Sequence, residues 1–262
     1  MSTVVEVPRR KHRGRRALIA LLVVVLVLLV GFFVADYFAK KAATAYVQQQ
    51  VATALDLSST APVAVDLGPG SILVQAATGS IDDVTVTVDP LVIDGLSGTA
   101  NLTAHGVPLS STTPVKTLNV NITVPESTID QAITEVPALK QFKPVVTIAG
   151  SRVAVNGTVY ILGFAQKIGV TLIPTVSAGK PGFAIKTAEF DGATISVAQL
   201  NHYIPGLSAA LQSATSLCIA NALPKSFVLT GITLQGKSLV STFSGDGSEL
   251  NSASLSQKGS CP

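Results

Sequence analysis

The side chains able to do chemistry are few and scattered. Of the three histidines, His12 lies in a basic tail, His105 ends a strand-like run and His202 falls in a helical stretch. A general base or metal ligand needs a carboxylate or further ligands at fixed spacing, and no HExxH or HxH pattern occurs. Both exported histidines therefore read as surface or satisfied-core residues. Ser71 in Gly68-Pro69-Gly70-Ser71 and Ser97 in Gly95-Leu96-Ser97-Gly98 depart from the G-x-S-x-G of a nucleophile elbow and fit turns. Asp82 and Asp83 are strand neighbours, so their side chains point to opposite faces. Asp246-Gly247-Ser248-Glu249 lacks the spacing of a calcium loop, and no phosphate-binding or dinucleotide glycine motif is present. Asn101, Asn121 and Asn156 open N-x-[ST] sequons, which act only in a glycosylating host. These residues give no support to an enzyme, a metal site or a cofactor.

The elements around them begin with a membrane signal. Residues 1–16 carry +5 and the remainder −2 of a net charge of +3. The basic pI of about 8.9 thus belongs to a tail, and a polyanion-binding body is excluded. With no Trp, four Tyr and nine Phe there is little to stack on bases, so no nucleic-acid partner is expected. Ala17–Val34, ALIALLVVVLVLLVGFFV, has no charge, and as a helix it spans about 27 Å, close to the hydrocarbon thickness of a bilayer. The basic tail places the N-terminus in the cytoplasm and residues 36–262 outside. A cleaved signal peptide is the rival reading. Cleavage after Ala35 or Ala39 would place Phe33 or Tyr37 at −3, and the better-suited Ala43-Thr44-Ala45 lies far beyond the apolar run. A retained anchor is the expectation, and the body is exported in either case. In an oxidising compartment Cys218 and Cys261 are expected to form one disulfide, closing a 44-residue loop.

The exported part opens with a helix over residues 36–57, whose Val47, Val51 and Leu55 recur every four residues, with Phe38, Ala43 and Tyr46 near the same face. After Pro62 the period becomes two. Val84/Val86/Val88, Leu118/Val120/Ile122/Val124, Val153/Val155, Ile168/Val170/Leu172, Phe183/Ile185 and Val228/Ile232/Leu234 alternate with polar residues, as antiparallel strands with one dry face do. Gly68-Pro69-Gly70, Asp94-Gly95, Asn156-Gly157, Gly179-Lys180-Pro181-Gly182, Asp191-Gly192 and Gly236-Lys237 supply turns. Helices are expected at Glu126–Glu135, entered through Pro125, and over 197–223, broken at Pro205-Gly206. Val136-Pro137-Ala138-Leu139 and Ile204-Pro205-Gly206-Leu207 each follow a strand and a helix, the trace of a weak internal repeat.

Charged residues make up 13% of the chain against 47% hydrophobic, with a mean hydropathy of +0.51. That excludes global disorder and is about half the usual charge of a soluble domain. The wet strand faces are Thr, Ser and Asn rather than Lys and Glu. A curved sheet of this composition either fills its apolar face with side chains or leaves a lipid-sized cavity, and composition leaves both open.

The order of features resembles the LmeA-like phospholipid-binding proteins of actinobacterial envelopes. The likeness rests on GSIDDVTVTVDPLVIDGLSGTANLTAHGVPLS (Gly79–Ser110), on LNVNITVPESTIDQAI (Leu118–Ile133), and on Leu217-Cys218-Ile219 through Ala222-Leu223-Pro224 with the strand residues Phe227–Leu234. The resemblance implies an α+β fold with a curled, mainly antiparallel sheet packed around helices, similar to tubular lipid-binding domains and preceded by one transmembrane helix. It implies a phospholipid ligand and a role in lipoglycan assembly of the lipomannan type. On this reading a basic tail (1–16), an anchor (17–35) and a continuing helix (36–57) precede a lipid-binding body (58–243) and a Ser/Gly-rich tail (244–262). The expected cavity lining is Val84, Val86 and Val88; Leu118, Val120 and Ile122; Ile168, Val170 and Leu172; and Val228, Ile232 and Leu234. Tyr160 and Phe164 are expected at the rim. The other reading is a structural or partner-binding envelope protein with a filled core.

Overall fold

The computed structural model describes residues 13–55, 57, 62–93, 95–110, 113, 115–161, 163–177, 180–203, 227–245 and 257. Cys218 and Cys261, the expected helix beyond Tyr203 and the second repeat motif lie outside these residues.

A single helix, α1 (Arg13–Ala54), runs without a break from the basic tail into the body. Nothing in it stops a helix: it contains no Pro, and a Cβ at Gly31 would meet open space. Residues 21–35 are all exposed, and the helix is long and apolar enough to cross a membrane. Beyond them Ala39, Ala43, Val47, Val51 and Leu55 pack on the body. Phe38 and Tyr46, expected on that stripe, are exposed, because a stripe through Ala43 and Val47 at four-residue spacing continues back to Ala39.

The α+β class is as expected, but the strands form two antiparallel sheets instead of one. The first contains β1 (Val63–Asp66), β2 (Ser80–Ile93), β3 (Leu96–Pro108), β4 (Thr117–Pro125), β10 (Phe227–Gln235) and β11 (Ser238–Gly245), in the order β1-β2-β3-β4-β11-β10. The second is β5 (Val145–Ala149), β6 (Arg152–Ile161), β7 (Phe164–Ser177), β8 (Lys180–Phe190) and β9 (Ala193–Ile195), paired in sequence order. Each sheet starts with an edge strand, continues through a long hairpin and a third strand, and leads to a helix: α3 (Glu126–Glu135) after β4, and α5 (Val197–Tyr203) after β9.

The dry face of the first sheet closes under α1. Leu67, 0% exposed, Val84, Val86, Val88, Leu118 and Val115 form a cluster with the α1 stripe. The wet face is a polar ladder in which Asn101 donates to Thr87 and Thr242 donates to Asn121 (3.0 and 2.9 Å), so it needs few charges. β10 lies against the second sheet: Val120, Leu229 and Phe243 cluster with Val176 of β7, and Leu234 packs on the second sheet's own core.

Three polar contacts fix how the body hangs on α1. Gln48 donates to the Val63 carbonyl (2.8 Å), Lys40 donates to the Gly68 carbonyl, and Asp36 accepts from the Ser71 hydroxyl (2.7 Å) and the Leu73 amide (3.0 Å). Ser71 in turn caps α2 (Ile72–Thr78), a helix not expected from the sequence, which ends at left-handed Gly79. The Leu73 amide, with Ser71 next, holds the Asp36 carboxyl below its ordinary range.

Asn156-Gly157, expected as a turn, lies inside β6. Asp191-Gly192 and Gly236-Lys237 do turn, with positive φ at Asp191, Gly192 and Gly236. Val228 was expected to share a face with Ile232 and Leu234. A register shift between Leu229 and Gly231 separates them, so Leu229 turns inward and Val228 outward.

Truncating Leu67 removes the side chain that closes the α1 cluster. Leu67→Ala is expected to lower unfolding stability by about 3 kcal/mol, read by urea unfolding of the detergent-solubilised chain. A carboxyl whose folded value is depressed adds stability that is complete above its unfolded value and lost as pH falls through the folded one. The protection of amides across Leu73–Ala77, measured against their intrinsic exchange rates at each pH, should therefore fall on acidification through that range. Asp36→Ala should show the lowered protection already at neutral pH.

Candidate functional site

The site is built where α3 joins the two sheets. β4 runs into α3 at Pro125, which carries no amide proton and so loses nothing at a helix start. Glu126 and Asp130, one helical turn apart, accept from the backbone amides of Ile148 and Val146 (2.6 Å for Asp130). Those amides belong to β5, the edge strand, whose outward N–H groups would otherwise be open to another strand. Lys237 in the β10–β11 turn lies 3.6 Å from Glu126, and its carbonyl accepts from the Glu126 amide (2.9 Å). The turn of the first sheet and the edge of the second are thereby held on one helix.

A one-turn helix, α4 (Pro137–Lys140), comes next. Its Leu139 and the next residue but two, Phe142, are buried against Val146, Val155, Ile168 and Val170. The Phe142 carbonyl accepts from the Thr158 amide (2.8 Å). This crossing demands glycine at 157, where a Cβ would stand 2.8 Å from the Phe142 carbonyl oxygen. The chain then turns with φ +47° at Lys143, a left-handed conformation that costs a non-glycine residue about 1 kcal/mol.

Lys143 stands at the side of a trough of about 420 Å³ on the second sheet. Its floor is a register row: Val145 of β5 opposite Asn156 of β6, then Gly169 of β7, then Glu189 of β8. Gly169 keeps the floor open, since a Cβ there would lie 2.9 Å from the Asn156 side-chain oxygen. Thr158 and Lys167, paired across β6 and β7, complete the polar wall. A narrow apolar cleft of about 20 Å³ adjoins it, lined by Leu139, Phe142, Pro144, Val155 and Val170, and shares Asn156, Gly157 and Ile168 with the trough. Two ammonium groups, an amide, a hydroxyl and a carboxylate thus surround a space that borders an apolar slot. That set suits a phosphate with a polar substituent, and the slot beside it is apolar in lining but about the size of one water.

Of the residues expected to line a lipid cavity, Ile168 and Val170 reach this place. Leu172 is buried in the same core without lining either space. Val84, Val86, Val88 and Leu118 pack under α1, and Val120 and Ile122 sit with Phe243 and Leu229. Ile232 joins that last cluster, and Leu234 meets the second sheet's core. Tyr160 and Phe164, 65% and 71% exposed, stand at the end of the β6–β7 hairpin and line neither space. The polar members Lys143, Asn156, Thr158, Lys167 and Glu189 were not expected. Their one signal in the sequence is glycine within alternating runs, at Gly157 and Gly169.

His105 Nδ1 is hydrogen-bonded to the Asp83 carboxylate across β2 and β3, both about half exposed and away from the trough. Ser71 is the α2 cap rather than a nucleophile. Gln75, from α2, accepts from the Asp82 backbone amide (2.9 Å).

A family model described as LmeA-like phospholipid-binding matches residues 34–244. The chain belongs to that family. The match begins at the end of the apolar run and closes at the last residues of β11, so it takes in the outer half of α1 together with both sheets. No curated protein and no solved structure matches the chain. The family is a lipid-binding one.

Lys143→Gly separates conformation from chemistry at the site. It should raise unfolding stability by up to about 1 kcal/mol, because glycine adopts the left-handed turn without strain. It should at the same time weaken retention of anionic phospholipid, measured on the same preparation. Lowered stability would mean that the lysine side chain holds the turn.

Proposed function

We propose that this is a membrane-anchored, extracytoplasmic phospholipid-binding protein whose trough on the second sheet takes the lipid phosphate. The observation that carries the reading is the pairing of Lys143 and Lys167 around a polar trough with an apolar slot at its edge, in a chain of a phospholipid-binding family. The phosphate lies between the two ammonium groups, Asn156 and Thr158 bond to its ester oxygens, and Glu189 faces the head-group substituent. The acyl chains enter the slot between Phe142 and Val170, which widens to admit them. The apolar strand faces first expected to hold the lipid are filled by α1, α3 and α4, which favours binding at the seam of the second sheet over binding within the body.

The anchor is Ala17–Val34, with the basic tail inside and residues 36–262 outside. Packing supports its retention. Cleavage after Ala45 would separate Asp36, Lys40, Ala39 and Ala43 from the groups they hold. By the family resemblance, the lipid so held serves envelope lipid or lipoglycan assembly of the lipomannan type.

Native mass spectrometry of the detergent-purified full chain tests the site. The wild type should retain phospholipid, and a Lys143→Ala/Lys167→Ala chain should lose most of it. Annular lipid around α1 does not depend on those lysines. Equal retention by both proteins would place any bound lipid elsewhere and remove the proposed site.

A further inference from the structure

The junction of α1 with the body carries an inference that rests on the anchor reading and goes beyond lipid binding. Asp36 lies two residues after Val34, about 3 Å along the helix, within a head-group layer about 5–7 Å deep. Its carboxylate is bound to Ser71 and to the Leu73 amide. The start of α2 is therefore fixed at the level where α1 leaves the hydrocarbon. Nothing between them is a linker, because the helix is continuous through residue 36.

The strand register gives the same height independently. Val63 is bound by Gln48 and pairs with Val88. From there β2 descends towards Ser80, which pairs with Pro108 at the end of β3. Along α1, Gln48 to Asp36 is about 18 Å; along β2, Val88 to Ser80 is about 26 Å. Even a strand inclined at about 45° to α1 would bring Ser80 and Pro108 down to the level of Asp36. Leu109 comes next, its amide bound to the Gly79 carbonyl at the end of α2 (3.0 Å).

This end of the body exposes apolar and charged side chains together, the carboxylates of Asp66, Asp82 and Asp83 as well as lysines. Val74 on α2 is 53% exposed and Leu109 55%. Tyr37 and Phe38 project from α1 at the same height and touch each other edge to face. Lys41 is exposed beside them, and Lys116, laid over Gly106, stands at the same end of the sheet. Aromatic rings, isolated aliphatic groups and ammonium ions are the side chains that partition into a head-group layer.

We propose that the α2 end of the first sheet docks on the outer surface of the membrane that α1 spans, with Val74 and Leu109 in the head-group layer. The body then stands upright on the bilayer and does not swing on a tether.

The absence of tryptophan from the chain makes the test clean. Single substitutions V74W, L109W, L26W and Q235W are made in the full chain. Each is reconstituted in phosphatidylcholine–phosphatidylglycerol vesicles containing nitroxide lipids labelled at the head group or at mid-chain. All four positions are exposed, so no buried contact is altered. L26W should lose its emission to the mid-chain label, V74W and L109W should lose theirs to the head-group label, and Q235W, at the far end of β10, should keep it. If L26W is quenched while V74W and L109W stay as bright as Q235W, the anchor stands and the docking is wrong. If L26W is quenched by neither lipid, the anchor reading fails and the docking falls with it.

Discussion

The stripe Ala39, Ala43, Val47, Val51 and Leu55 packs against Leu67 and the β2 row Val84, Val86 and Val88, and the rest of the body takes its position from that contact. A helix whose first half is exposed and apolar and whose second half packs on a sheet cannot rotate or slide in one part without the other. Burying Leu67 and each of the β2 valines stabilises the body by about 1.5–3 kcal/mol, and the half-buried stripe residues add less each. The polar contacts from Asp36, Lys40 and Gln48 set the register. The helix therefore gives the body an orientation as well as a location.

The second constraint is the seam at α3. Glu126 and Asp130 satisfy the edge of the second sheet, the Lys237 turn meets the same helix, and Ile129 and Ile133 face the core beneath. This placement dictates the path of the chain beyond α3: Phe142 is driven over β6, Gly157 makes room for it, and Lys143 is left in a strained turn at the mouth of the trough. A residue held in an unfavourable backbone conformation at the border of a polar cavity is a frequent mark of a binding site. In this fold the strain has a traceable source, the tight crossing of Phe142 on β6.

Much of this was legible in the residues. The apolar run, the tail charge, the period-two strands and the α3 boundaries come from hydropathy and spacing, which act locally. The resemblance carried by Gly79–Ser110 and Leu118–Ile133 pointed to the family that the match over 34–244 establishes. The division into two sheets was not legible, because alternation gives the dry face of a strand and says nothing of its neighbours. Nor were the inward turn of Leu229, produced by a bulge in β10, and the exposure of Phe38 and Tyr46. The trough was hidden for a related reason. Asn156-Gly157 has the composition of a turn, and only the approach of Phe142 from another segment explains a glycine inside β6. Lys143 and Lys167 are far apart in sequence and look like ordinary surface charge until β6 and β7 bring Thr158 and Lys167 into register beside the crossing.

On the proposed reading the lipid phosphate sits between Lys143 and Lys167, with hydrocarbon entering beside Phe142. The most direct measurement is a crystal structure of the full chain grown in a lipidic mesophase with added phosphatidylglycerol. The account predicts phosphate density within hydrogen-bond distance of both ammonium groups, and a slot between Phe142 and Val170 wider than its present 20 Å³. An unoccupied trough with lipid density instead between α1 and the β2 row would contradict it.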